Sequence, residues 1–220
     1  NLKTAAQWLV ENLTPNQHGV PVWSHNFDWE YVERLVAPWY SGLAQGQGIS
    51  ALLRAHQATG KTEYLDAAIK AFEAFESEVD QGGVIYTDSE GNPWIEEYIV
   101  TRPTHILNGF IWGLWGVLDL YLATNDERAK SLWEKCVRTL TKNLHTFDLG
   151  WWSLYDQSGS RWLPMITSRF YHSLHIVQLE ITSQITNEHL FTDVSNRWNR
   201  YTSESIYRSR AFVQKALFKF

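Results

Sequence analysis

The stretch SGLAQGQGISALLRAHQATGKTEYLDAAIKAFEAFES, residues 41–77, carries two helical periods on either side of a single glycine. From Ser41 to Thr59, apolar residues fall at Leu43, Ile49, Leu52, Leu53 and Ala55, on one face of a helix. Gly60 supplies a stop, and Lys61 to Ser77 resumes the period with Tyr64, Leu65, Ala68, Ala71, Phe72 and Phe75. The pair reads as a helix hairpin. A glycine-rich extended segment, Gly82-Gly83-Val84-Ile85-Tyr86, follows it.

The same design returns about 65 residues later. His105 to Thr124 and Asp126 to His145 form a second pair, and Ala123-Thr124-Asn125 repeats the hinge Ala58-Thr59-Gly60. Gly150-Trp151-Trp152-Ser153-Leu154-Tyr155 repeats the extended segment. A third pair runs from Tyr171 to Ile185, turns at Thr186-Asn187 and returns as His189 to Tyr201. A partial copy comes first, a helix from Leu2 to Asn12 followed by Gly19-Val20-Pro21-Val22-Trp23. A lone hairpin cannot bury its own apolar face, so neighbouring copies must stack. The first helix of each pair is rich in Gly, Ala and apolar residues, whereas the second is charged. That predicts an all-α fold, an incomplete α/α toroid of inner and outer helices, open on one side, with short β-type segments in its loops. One domain is expected over 1–220: a partial repeat and loop over 1–37, full repeats over 38–204, and a C-terminal tail over 205–220. A stacked solenoid that binds a protein is the competing architecture. The loops 13–40, 78–104 and 147–169 emerge at one end, and loops of such length usually carry function. They are expected to wall one cleft.

Composition narrows the classes. Of 220 residues, 44% are apolar, enough for a sizeable core. The formal charge of −5 argues against nucleic acid as a partner. The most apolar run, Ile106 to Leu122, is broken by Asn108, Gly109, Gly113, Gly116 and Asp119, so it reads as a buried helix and not a membrane span. A single cysteine, Cys136, excludes a disulfide framework and reads as a small buried residue. Twelve tryptophans stand out. Trp23, Trp29, Trp94, Trp151, Trp152 and Trp162 lie among Gly, Asp, Ser and His, where a flat ring beside polar donors suits a sugar; packing beneath the loops would explain them equally. Asn12-Leu13-Thr14, followed by Pro15, matches a glycosylation acceptor.

The loops concentrate reactive side chains. One holds Trp94-Ile95-Glu96-Glu97-Tyr98 and Arg102; another holds Tyr155-Asp156, Arg161, Trp162, Arg169 and Tyr171-His172. His172 and His175 share a helix face at a spacing that can bind metal, but no third ligand is evident. Hydrogen bonding between helices is the expected use of that pair, with no metal and no cofactor.

Several ordered motifs resemble the C-terminal domain of D-glucuronyl C5-epimerases, the enzymes that turn glucuronate into iduronate in heparan sulfate. They are Trp39-Tyr40-Ser41 with Ala44-Gln45-Gly46-Gln47; Glu96-Glu97-Tyr98 with Leu107-Asn108-Gly109-Phe110; Tyr155-Asp156; and Arg169-x-Tyr171-His172-x-x-His175-Ile176-x-Gln178-Leu179. The resemblance runs from about Pro38 to Tyr201. It implies the helical toroid and roles in catalysis for Tyr98, Tyr155, Tyr171 and Glu97. It also implies an acidic, glucuronate-containing polysaccharide as partner and a location in the secretory pathway, cell envelope or outside the cell. The family has an arginine where this chain has Ser158, and Arg161 is the expected substitute. Animal members of the family carry large N-terminal domains ahead of this region, so weak activity or none is expected of the chain alone. A homodimer is one way of closing the open side.

The chemistry suits these residues. Epimerisation removes the proton on C5, next to a carboxylate, so the resulting carbanion needs the carboxylate neutralised. Arg169 or His172 could do this through charge-assisted hydrogen bonds. One tyrosine takes the proton from one face and another returns a proton to the opposite face, with Glu97 orienting. Gln45, Asn108, Tyr40, Trp94 and Arg161 complete the expected substrate contacts. The same carbanion could instead lose its C4 oxygen, which would make the protein a lyase. A non-catalytic glycan-binding domain, or a glycoside hydrolase built on Glu97 and a second carboxylate, would also accommodate these residues.

Overall fold

The computed structural model describes residues 2–159 and 163–217. In chain order the elements are α1 (Leu2–Asn12), β1 (Thr14–Pro15), β2 (Pro21–Val22), β3 (Trp29–Glu30), β4 (Arg34–Leu35), α2 (Gly42–Thr59) and α3 (Thr62–Ala71). Then come β5 (Ile85–Thr87), β6 (Pro93–Ile95), α4 (Leu107–Thr124), α5 (Glu127–Asn143), α6 (Arg169–Thr186), α7 (His189–Ser203) and α8 (Ser205–Leu217). The strands form three antiparallel pairs, β1 with β2, β3 with β4 and β5 with β6. No described helix is long and apolar enough to cross a membrane.

The three hairpins α2/α3, α4/α5 and α6/α7 share one hinge, built from local bonds. Thr59, Thr124 and Thr186 each donate a hydroxyl to the carbonyl one turn back, at 2.6, 2.7 and 2.8 Å. The same hydroxyls accept the amides of Lys61, Asp126 and Glu188. Between them Gly60, Asn125 and Asn187 take the left-handed conformation that ends a helix. Asparagine tolerates that conformation better than most residues, which is why it replaces glycine in two hinges.

Both outer helices of the first two hairpins stop before their apolar period does. α3 passes into a 3-10 turn over Phe72–Phe75, and α5 into one over Leu144–Phe147. Residues three apart eclipse in a 3-10 turn, so Phe72 with Phe75 and Leu144 with Phe147 all turn inward and are buried. At the other end, His105 is left-handed and α4 starts at Leu107. Ser168 caps α6, accepting the amide of Tyr171. Residues 205–217, expected as a tail, are the helix α8, which buries Ala211.

The chain divides into two compact units, Asn1–Pro103 with Gly109–Thr139, and Thr104–Asn108 with Leu140–Phe220. In the first, α2 and α4 meet at glycines. A Cβ at Gly46 would lie 2.6 Å from the Gly113 Cα and 2.8 Å from the Trp112 carbonyl oxygen; one at Gly116 would lie 2.4 Å from the Gly46 Cα. Backbone touches backbone, which only glycine permits. Cys136 is buried here, its thiol directed at the Pro93 carbonyl, and burial pushes its pKa up. In the second unit, α6 and α7 enclose Ile176, Leu179, Phe191, Val194 and Trp198. Among the loop tryptophans, Trp23, Trp94, Trp151 and Trp152 are buried, so packing under the loops claims them; Trp29 is exposed, and Trp162 lies outside the described residues.

Gly46→Ala should therefore destabilise the fold by about 3 kcal/mol or more, since rigid backbone has nowhere to move. Gly60→Ala meets open space and suffers only its left-handed φ, a loss of about 1 kcal/mol. Urea denaturation followed by circular dichroism checks both; equal losses would contradict the backbone contact.

Candidate active site

In the first unit, the β5–β6 hairpin delivers Glu96, Glu97 and Tyr98. Its turn is organised by Asp88, whose carboxylate accepts from the Glu90 and Asn92 amides, the Asn92 side chain and the Trp94 indole. Burial alone would raise the Asp88 pKa, but these hydrogen bonds outweigh it and take it down to about 2. Beyond β6, the Glu96 amide donates to Val84 and its carbonyl accepts from Gly42 at the head of α2. Glu96 and Glu97 are both buried. A Cβ at Gly109 would lie 2.2 Å from the Glu97 carboxyl, so that carboxyl rests directly on the first turn of α4.

Tyr98 is half-buried in an aromatic set. Its ring lies 4.7 Å from Tyr31 and 5.6 Å from Trp39. Trp39 pairs with His25 through two backbone hydrogen bonds, and their rings lie 4.2 Å apart. Phe27 stands edge-on to Trp39 at 5.5 Å. The Glu33 carboxylate accepts from the Thr101 amide at 2.6 Å, pinning the β3–β4 hairpin to the loop that follows Tyr98.

In the second unit, Tyr155 and Tyr171 meet edge-on with ring centres 5.2 Å apart. Tyr155 is held through its backbone by Met165 and Leu107. Beneath lies a buried polar network. The Ser153 hydroxyl contacts Thr167 at 2.9 Å, His172 Nδ1 at 2.7 Å and His175 Nδ1 at 3.4 Å. His172 stacks on Trp152 at 3.9 Å, and its Nε2 faces the Trp198 carbonyl at 3.1 Å. A carbonyl can only accept, so the ring carries its proton on Nε2. Nδ1 is left to accept the Ser153 amide. Desolvation lowers the His172 pKa to about 4, against the opposing pull of the Trp198 carbonyl and Asp148. Desolvation, with His172 adding to it, lowers His175 to about 3.

The residues expected at the substrate divide accordingly. Tyr98 and Glu97 belong to the first unit; Tyr155 and Tyr171 come together in the second. Gln45 is fully buried, bonding to both backbone groups of Trp23. Trp94 is core, edge-on to Phe110. Asn108 is buried, its carbonyl accepting from Gln178. His172 is interior with both ring nitrogens engaged. Tyr40 faces a separate cavity with Trp8 and Asn26. Arg169 is exposed on a groove shared with Arg208 and Lys215 of α8. Arg161 lies outside the described residues. The motifs do not single out Tyr31, His25 and Phe27, the aromatic neighbourhood of Tyr98; the alternation of His25 and Phe27 opposite Trp39 is the one sequence signal that could mark them.

Helix-hairpin repeats of this kind are shared with solved carbohydrate enzymes. The fold is similar to a glycoside hydrolase family 76 mannosidase from Bacteroides thetaiotaomicron, with a TM-score of 0.57 and 16% identity over 91% of this chain and 52% of that one. It is also similar to cellobiose 2-epimerase from Spirochaeta thermophila, with a TM-score of 0.55 and 13% identity over 90% of this chain and 53% of that one. These place the chain in the α/α-toroid fold class. Residues 17–200 match the family described as D-glucuronyl C5-epimerase C-terminus, and the chain belongs to that family. It is 34% identical over 214 residues to a D-glucuronyl C5-epimerase of Caenorhabditis elegans, covering 90% of this chain and 34% of that protein. An uncharacterized protein of Methanocaldococcus jannaschii is 28% identical over 180 residues, 80% of this chain and 56% of that one. The chain thus spans between a third and just over half of these relatives.

The two buried histidines predict a pH dependence. Both titrate below the ordinary value of 6.5, so the unfolded chain takes up protons that the folded one refuses. Their contribution to stability is present in full above about pH 6.5 and is lost as pH falls toward 4 and then 3. Between pH 6.5 and 5, above most carboxylates, stability should fall with a slope approaching about 2.7 kcal/mol per pH unit, the value for two protons. Urea unfolding across that window measures it; a flat profile would mean that the histidines titrate normally.

Proposed function

We propose that this chain is the catalytic portion of a polysaccharide C5-epimerase that converts D-glucuronyl to L-iduronyl-type residues. The observation that carries it is the family match over residues 17–200. The side chains assigned to the reaction fit this reading: a buried carboxylate, Glu97, beside the half-buried Tyr98, and a second pair of tyrosines, Tyr155 and Tyr171. On this reading Tyr98 and Tyr171 transfer the proton on opposite faces of the sugar. Tyr155 assists Tyr171 from an edge-on position. Glu97, locked against α4, orients Tyr98.

The reaction needs a cation at the carboxylate. His172 is buried and held neutral, so its share is to position α6 beneath Tyr171 rather than to touch the sugar. Exposed Arg102, just beyond Tyr98, and Arg169, on the first turn of α6, are the two guanidinium groups we assign to the carboxylate. Gln45, Asn108 and Trp94 take supporting roles from within the core. The polymer is an acidic, glucuronate-containing polysaccharide, and dimer formation is a way of enclosing it.

Incubation with a glucuronate polymer in heavy water tests the reading. Deuterium should enter at C5 without chain cleavage. Tyr98→Phe and Tyr171→Phe should each slow exchange by about a hundredfold to ten-thousandfold with little change in binding. Arg102→Ala or Arg169→Ala should weaken binding as well, because a ground-state contact is lost. Unsaturated ends would instead mark a lyase, and near-normal exchange in both Tyr→Phe variants would end the tyrosine mechanism.

A further inference from the structure

We propose that the first unit holds a second saccharide site, for an uncharged hexose or N-acetylhexosamine unit, in the cavity between α1 and the ribbon that carries His25 and Trp39. The ribbon has two faces. Its residues alternate as in any extended pair, and His25 and Trp39 exchange both backbone hydrogen bonds. His25 and Phe27 pack against Trp39, whose ring meets Tyr98. Their neighbours Ser24, Asn26, Pro38 and Tyr40 therefore turn the other way, and all four line a cavity of about 470 Å³. Trp8 and Asn12 of α1 close its far side.

The lining defines the ligand. None of its residues is acidic or basic; all are amides, hydroxyls, prolines and two aromatic rings. An anion would find no counter-charge there, whereas sugar hydroxyls and an acetamido group would find donors and acceptors. Trp8 is 54% exposed, so its ring is not used as core and offers an apolar face to the CH side of a sugar. Asn26 and Ser24 make no side-chain hydrogen bond to any other described residue, so their polar atoms are available. The walls are stiff. Asn16 accepts from the amides of His18 and Val20 and donates to the Gly82 carbonyl, while Asn12 donates to the Trp8 carbonyl. Tyr40 is half-buried on the floor; burial raises its pKa against hydrogen bonding with Asn16, so it remains a neutral phenol at pH 7.

The ribbon stands between this cavity and Tyr98, so the sugar bound here is not the one that reacts. The inference rests on the epimerase reading only for the class of ligand, a glycan. Titration of tryptophan-labelled chain with N-acetylglucosamine, cellobiose and glucuronic acid tests it by the indole N–H signal of Trp8 in nuclear magnetic resonance. The neutral sugars should move that signal saturably and glucuronic acid should not. Asn26→Asp, read by the same signal, and Trp8→Ala, read by titration calorimetry because it removes the reporting indole, should each weaken neutral-sugar binding by about tenfold or more, while Tyr98→Phe leaves it unchanged. No saturable shift up to about 100 mM neutral sugar, or affinity that survives both cavity variants, would overturn the proposal. Because the readout is binding, a chain that binds here but exchanges no deuterium at C5 counts against the epimerase reading alone. An active chain with a silent Trp8 defeats this one alone.

Discussion

Helices normally pack with their axes about 8–10 Å apart because side chains separate them. In the first unit α2 and α4 dispense with those side chains at Gly46, Gly113 and Gly116, and their backbones touch. The same two helices carry Gly42 and Gly109 one turn nearer the loops. There the Ile95–Glu97 segment takes the room: Ile95 and the Glu96 carbonyl against Gly42, and Glu97 against Gly109. The position of the Glu97 carboxyl is thus set by what is missing from the helices beneath it. A buried carboxylate is costly to place, and here the backbone leading into it is held on one side by Val84 and on the other by Gly42.

The second unit solves the same problem with polar atoms. Ser153 belongs to an irregular loop, whose buried backbone must find partners. It finds them in α6: its amide and hydroxyl meet His172, and its hydroxyl also reaches Thr167 and His175. Trp152 and Trp198 shield the two rings from water, and the shielding keeps them neutral. Tyr155 lies two residues beyond Ser153, and Tyr171 directly precedes His172. The network that ties loop to helix therefore also fixes how the two tyrosine rings meet.

What can be read from sequence follows from the range of the interactions involved. Hinges at Thr59, Thr124 and Thr186 are legible because every bond in them stays within a few residues. The buried Cys136 is legible from the helical period around it. The early ends of α3 and α5 are not, because a 3-10 turn preserves an apolar pattern while changing its pitch. Gln45, Trp94, Asn108 and His172 look like ligand contacts in sequence because a polar or aromatic residue near an irregular loop has two uses. It can meet a substrate, or it can satisfy and cover the loop's own backbone. Only burial separates the two, and burial depends on distant chain. The partners of Tyr98 stay hidden for a related reason: Tyr31 meets it where Glu33 binds Thr101, a contact between separate loops.

The hinge has a consequence for how the chain comes into being. Its threonine, its left-handed residue and the two amides they engage are all supplied within about one helical turn, so closing it requires no partner from elsewhere. Contacts this local form fast, well ahead of pairings between remote segments. During synthesis each hairpin can thus bend back on itself as it leaves the ribosome, before the next has been translated. The α2–α4 glycine contact must wait for the later helix to arrive. Until then the flat, side-chain-free stripe of α2 has nothing to pack against, which makes α4 the segment whose emergence commits the first unit to its final structure.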